Sequence, residues 1–284
     1  MPARSPFTTL CQLAARGPKA GRADLHLHTT FSDGTYTPAQ VVELARRCGL
    51  SALAITDHDT LGGCAAARAA AGSDVEVIPG VEITSEFRSK ELHLLAYFVD
   101  LDDPALTAAL ARVRQHRATR FGEMVERLRQ CGVTFDRGVS STAPEALGRR
   151  HLAELLVQAG RVETVREAFA RWLGDGGRAD VPKVRLPAAE ALALVRGAGG
   201  VASWAHPNRL CDHAALAELR GLGLGAVEVE YPEVKRSRGR ALREWAGALG
   251  LAVTGGSDCH GPGRRGVGSC TVSADEVQRL REMI

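Results

Sequence analysis

Short apolar runs alternate with segments of helical periodicity along most of the chain. "ADLHLH" (23–28), "SALAIT" (51–56), "VEVIPGVEIT" (75–84), "ELHLLAYF" (91–98), "GVASWAH" (200–206), "AVEVEY" (226–231) and "LAVTGGSD" (251–258) read as strands bounded by glycine or polar turns. Between them lie amphipathic or alanine-rich stretches. "TPAQVVELARRCG" predicts a helix capped by Thr37, opened by Pro38 and stopped by Gly49. Further helices are expected over 61–71, 188–196, 214–220 and 238–248, with a short one at the end. Strands alternating with helices predict an α/β fold with a parallel sheet, and their number approaches that of a closed barrel.

The middle of the chain breaks this rhythm. From 104 to 186 the pattern is almost entirely helical. "PALTAALARVRQHRATRFGEMVERLRQCG" predicts one long helix ended by Gly132, and "GRRHLAELLVQAG" and "VETVREAFARWLG" predict two more. The expected organisation is a flexible tail over 1–22 and a barrel over 23–284, interrupted by a helical insertion at 104–186.

Composition narrows the function classes. The chain has 284 residues and a net charge of +3, too small to argue for nucleic-acid binding by charge alone. No apolar run approaches the roughly 20 residues of a membrane span. The basic start, with Arg4, Arg16, Lys19 and Arg22 and no acid, lacks the apolar core of a secretory signal. Seven cysteines without a CxxC pair read as free thiols in a reducing cytoplasm. No obligate protein partner is predicted.

The histidines change the picture. His26 and His28 end the first strand on one face, and Asp33 follows in the next loop. His58 follows "ALAIT", Glu82 lies in "GVEIT", His93 in "ELHLL", and His206 ends "VASWAH". Asp258 and His260 close "TGGSDCH". Parallel barrel strands end at one mouth, so these residues are expected to converge there. Imidazole with carboxylate suits zinc, manganese or iron, and nine such ligands are too many for one ion. Three divalent ions would outweigh the three carboxylates in charge, so the site favours an anion, and a phosphate ester suits it better than a neutral amide.

"DLHLHTTFSDGTYTP", "LAITDHDT", "PGVEIT", "LHLLAYF", "ASWAHP" and "GSDCHG" together resemble the PHP family, the polymerase and histidinol phosphatase family, with all nine ligand positions filled. The resemblance implies a distorted seven-stranded βα barrel holding three divalent metal ions (Mn, Zn or Fe). It implies His26, His28, Glu82 and Asp258 around one ion. A second would share Glu82 and take His93 and His206, and a third would take Asp33, His58 and His260. "LGRRHLAELLVQAG" and "WLGDGGRADVPK" look like a subgroup acting on nucleoside 3′,5′-bisphosphates and short 5′-phosphorylated oligonucleotides, whose members usually read "GRPH" and "YVPK". Arg150 and Asp180 depart from that pattern, and the lost aromatic at 180 bears on nucleobase stacking.

The expected reaction is hydrolysis of a phosphate ester by metal-activated hydroxide, with Asp33, His58, Glu82, His206 and Asp258 closest to the chemistry. His206 is a candidate proton donor to the leaving group, and Asp57 or Asp59 a candidate support for a ligand. Arg117 and Arg120 share a helix face; with Arg149, His151 and Lys183 they are the candidate substrate contacts, since guanidinium forks suit phosphate. Competing readings are a histidinol-phosphate phosphatase, a non-catalytic metal-binding module of the kind attached to polymerases, and an amidohydrolase. The helical insertion argues against the first, the complete ligand set against the second, and the positive site against the third.

Overall fold

The computed structural model describes residues 21–133 and 145–284. The tail expected over 1–22 lies outside the described residues except for its last two, and Arg22 already opens the first strand.

The elements run β1 (Arg22–Leu27), α1 (Pro38–Arg47), β2 (Ala52–Ile55), α2 (Gly62–Ala71), β3 (Glu76–Phe87) and β4 (Lys90–Tyr97). Then come α3 (Pro104–Gln130), α4 (Arg149–Gln158), α5 (Val165–Ala168), a π-helical turn Phe169–Leu173, β5 (Leu186–Pro187) and α6 (Ala188–Gly197). The chain closes with β6 (Val201–Trp204), α7 (His213–Gly221), β7 (Ala226–Glu230), α8 (Arg236–Leu249), β8 (Ala252–Gly255), β9 (Val272–Ser273) and α9 (Ala274–Arg281). Local signals explain many ends. Thr37 and Gln40 form a reciprocal capping box at the start of α1, and Gly49 beyond its end is left-handed at φ 64°.

The sheet runs β8-β7-β6-β4-β3-β2-β1-β9, with the short β5 pairing β3. β1, β2 and β3 are mutually parallel, as are β6, β7 and β8. β4 is antiparallel to both of its neighbours, β3 and β6, and joins the two halves. The expectation of a parallel sheet therefore fails at β4. Only Arg88 and Ser89 separate β3 from β4, both at positive φ (51° and 58°), which is the two-residue hairpin geometry. A parallel return needs a crossover of a dozen or more residues, which is not available there.

The sheet nearly closes on itself. The start of β1's free edge pairs with β9, and its end is met by the segment after β8, where the His28 amide donates to the Cys259 carbonyl at 3.0 Å. Gly256 makes this closure possible. A Cβ there would lie 2.4 Å from both the Cβ and the amide nitrogen of His26.

Apolar packing falls into separate cores. Leu25, Ile78, Leu95, Tyr97 and Ala226 belong to one core on the strands. A second, between sheet and helices, takes Leu106, Ala109, Leu110 and Val113 from the first half of α3. Further along the same helix, Phe121, Met124 and Leu128 pack instead with Leu152, Leu156, Trp172 and Leu173. Helix α3 thus runs out of the barrel's core into that of the other helices between 104 and 186. Among the described residues no helix is long and apolar enough to cross a membrane. Cys64, Cys131, Cys211, Cys259 and Cys270 are free thiols.

Candidate metal centre

All nine expected ligands meet at one end of the barrel. Glu82 is the hub. Its Oε2 lies 3.1 Å from His58 Nδ1, 3.2 Å from His28 Nε2 and 3.4 Å from His26 Nε2. Its Oε1 lies 2.8 Å from His93 Nδ1 and 3.0 Å from His206 Nε2. Asp258 Oδ1 approaches His28 Nε2 at 3.4 Å and His26 Nε2 at 3.5 Å. On the other side Asp33 Oδ1 faces His260 Nε2 at 3.2 Å, His28 Nδ1 at 3.8 Å and His58 Nε2 at 4.0 Å.

The strands place these groups in different ways. His26 and His28 come from the end of β1 and the residue beyond it. Glu82 sits midway along β3, not at its carboxyl end. His93 reaches the cluster because β4 runs backwards, bringing its amino-terminal half to the end where the parallel strands finish. Asp258 and His260 lie past β8 in the loop. Asp258 is left-handed at φ 48°, and His206, after β6, has φ 28°. Such conformations cost roughly 1–3 kcal/mol and persist only where the surroundings enforce them.

The donor set fits divalent cations. His26 Nε2, His28 Nε2, His58 Nδ1, Asp33 Oδ1 and Glu82 Oε2 are all buried without a hydrogen-bond partner. A cluster of orphaned buried polar atoms aimed at one another has an ion as its simplest explanation. Three overlapping groups have ligand atoms close enough to share an ion: His28, Asp33, His58 and His260; His26, His28 and Glu82; and His58, Glu82 and His93. With protons in place of ions, the rings divide: burial pushes the His58 imidazole well down, while neighbouring carboxylates lift others. Burial pushes the His28 imidazole down, but Asp258 and Glu82 outweigh it and lift it to about 10. His93 is likewise opposed by burial and lifted to about 9 by Glu82 and Glu91.

Supporting residues hold the ligands from behind. Asp57 accepts from the Thr29 amide and hydroxyl, both at 2.7 Å, and from the Ser32 hydroxyl at 2.6 Å, fixing the loop that carries Asp33. Asp59, buried and at φ 51°, accepts from the Thr84 amide and hydroxyl and from Arg117 Nε at 2.6 Å. Glu228 escaped the sequence reading. Its buried carboxylate takes His26 Nδ1 at 3.1 Å and also accepts from the His206 amide. The signal was present: Glu228 is a lone acid between the core residues Val227 and Val229. Two other neighbours were missed. Asp258 Oδ2 accepts from Arg265 at 2.8 Å, and Glu91 lies 3.4 Å from His93 Nε2.

The candidate substrate contacts are distributed less uniformly. Arg117 is committed to Asp59 and Thr84, beside the ligands. Arg120, Arg149 and Lys183 line one cleft of about 480 Å³, with Lys90, Arg185 and the carboxylates of Glu91, Asp175 and Asp180. Within it Lys183 donates to Glu91 at 2.6 Å, Arg149 to Asp175 at 2.6 Å, and Arg120 to the Val181 carbonyl at 2.6 Å. His151 lies outside that cleft's lining. Its Nε2 is 2.9 Å from the Ser32 carbonyl, tying α4 to the loop that bears Asp33. Arg150 pairs with Glu154 one helical turn on, at the surface. Asp180 accepts from the Gly176 amide and lies 3.5 Å from Arg120.

Comparison with known proteins sets this geometry in a family. A model of the PHP domain matches residues 24–134. The chain is 32% identical over 247 residues to a 5′-3′ exoribonuclease of Haemophilus influenzae, covering 84% of this chain and 90% of that protein. It is 32% identical over 252 residues to the 3′,5′-nucleoside bisphosphate phosphatase of Chromobacterium violaceum, covering 86% and 88%. A Bifidobacterium adolescentis structure described as a metal-dependent phosphoesterase superposes with a TM-score of 0.85 at 33% identity, over 94% of this chain and 97% of that one.

Proposed function

The chain belongs to the PHP family of metal-dependent phosphoesterases, hydrolases acting on ester bonds, and from that premise we propose that its substrates are nucleotides carrying two phosphates. These are nucleoside 3′,5′-bisphosphates, short 5′-phosphorylated oligonucleotides, or both. The observation that carries the reading is the position of the basic cleft. Glu91 separates it from the ligand cluster, touching His93 on one side and Lys183 and Arg185 on the other. One phosphate at the cluster and a second among Arg120, Arg149 and Lys183 would use both surfaces. The activities for which the Haemophilus influenzae and Chromobacterium violaceum relatives are named support the same class.

Three divalent ions, manganese, zinc or iron, would be held by the nine ligands, with Glu82 shared. Bound there, such ions would supply a water nucleophile at neutral pH and positive charge for the phosphoryl oxygens. The chain's own residues do the rest. Glu228 and Glu91 aim His26 and His93, Asp57 fixes the Asp33 loop, and the arginine forks orient the second phosphate. His206, about one-third exposed, turns Nε2 to Glu82 Oε1 at 3.0 Å, which spends the ring as a ligand and not as the proton donor to the leaving oxygen.

Phosphate release from adenosine 3′,5′-bisphosphate by manganese-loaded protein tests this, with a chelated sample as control. Rapid, chelator-sensitive release exceeding that from adenosine 5′-monophosphate is expected. No release from the bisphosphate or from a 5′-phosphorylated dinucleotide would reject the substrate class.

A further inference from the structure

A second cleft leaves the ligand cluster, and like the basic one it has Glu91 in its wall. Its inner part, about 220 Å³, is bounded by His93, His206 and Asn208 over Leu92 and Trp204. Its outer part, about 160 Å³, shares Glu91, Leu92 and Trp204 and continues to Phe87 and Leu210. We propose that this cleft is the nucleobase site of the enzyme, taking the planar heteroaromatic ring of the substrate against Leu92, Phe87 and Leu210. The proposal deepens the nucleotide reading above and rests on it.

Three observations carry it. The cleft begins at two metal-ligand candidates, so a ligand with its phosphate at the cluster can lay its remainder there. The outer part is walled mainly by apolar side chains, with a polar rim from Arg88 and Lys90, the lining a flat, weakly polar ring requires. Leu210, 43% exposed, stands among few large apolar side chains left open to solvent in the described residues, and it stands at this edge. Asn208 supplies edge recognition. Its Oδ1 is occupied by the Leu210 amide at 2.8 Å, and among the described residues no protein acceptor meets its amide nitrogen. The basic cleft offers no substitute. At position 180 it presents a carboxylate bonded to the Gly176 amide, with no ring to stack on.

The test compares two substrates on the manganese-loaded enzyme: adenosine 3′,5′-bisphosphate and its base-less tetrahydrofuran analogue. The wild type should favour the nucleotide at least tenfold in kcat/KM. Leu210→Asp should erase that preference, slowing the nucleotide far more than the base-less compound, and Leu210→Met should keep it. A preference that survives Leu210→Asp, or an equal loss on both substrates, overturns the base site while leaving the phosphatase reading standing. If neither compound is hydrolysed the phosphatase reading falls, and the same pair, then stable, is compared by titration calorimetry. A wild-type preference for the nucleotide that Leu210→Asp removes would uphold the base site, and its absence would overturn it.

Discussion

Nδ1 of His26 lies 3.1 Å from Oε1 of Glu228, and both side chains are fully shielded from solvent. The other carboxylate oxygen accepts from the His206 amide, so one acid aims two ligands. Glu228→Gln keeps the shape but turns an amide NH₂ toward one of the two donors. Loss of such a partner typically weakens metal binding 10–100-fold. The expected outcome is that shift in a chelator competition, with the far-UV spectrum unchanged. Unaltered affinity would remove Glu228 from the site.

Glu82 touches five histidine rings, and no other ligand replaces it. Glu82→Ala should lower the metal content per chain and reduce phosphoesterase turnover. Several kcal/mol of lost charge stabilisation correspond to roughly three decades in rate. Elemental analysis alongside turnover checks this, and full metal content with full activity would contradict it.

Metal uptake should release protons. His28 at about 10 and His93 at about 9 are protonated at neutral pH when no ion is bound, and ligation requires the neutral ring. Apparent affinity should therefore rise with pH through neutrality and level off only as these values are passed. Calorimetric titration in two buffers of different ionisation enthalpy measures the protons released. Identical heats in both would refute the expectation.

Two arginines should behave differently. Arg117→Ala strands the buried Asp59 carboxylate, and breaking a buried pair costs about 3–5 kcal/mol. Arg149 pairs with Asp175, which is 93% exposed, so loss of that pair in Arg149→Ala should contribute less than about 1 kcal/mol. The substitution should instead slow hydrolysis of a bisphosphate more than of a simple monophosphate ester. Urea melts and paired kinetics separate the two effects.

Gly256→Ala should damage the site without touching a ligand's chemistry. The added methyl would meet the backbone and Cβ of His26 at 2.4 Å, and neither can swing aside. Lowered thermal stability together with reduced metal content is expected, and a wild-type melt would show that the closure tolerates a side chain.

The clustering of the nine candidate ligands was legible because each carries its own chemistry and falls on or near a strand at a readable place. The reversal of β4 was not read, although its signal was present: too few residues lie between "GVEIT" and "ELHLL" for a crossover. Glu228 was hidden by the apolar strand around it, since alternation says that a residue points inward but not what it meets there. Arg117, Arg149 and Lys183 could not be sorted by sequence. Whether a cation faces Asp59, Asp175 or Glu91 is decided by how the helices of 104–186 pack.

That packing has a mechanical consequence. Helix α3 is 27 residues long, about 40 Å, and its two halves are set in different cores. Arg117, between the halves, grips Asp59 beside the cluster, while Arg120, one turn on, reaches the wall of the basic cleft. A region joined by a loose linker could swing to suit its cargo, but here the cluster's side and the basic cleft's wall are both gripped from one rod. On the proposed substrates the molecule would work as a gauge, selecting compounds by the distance between their two phosphates.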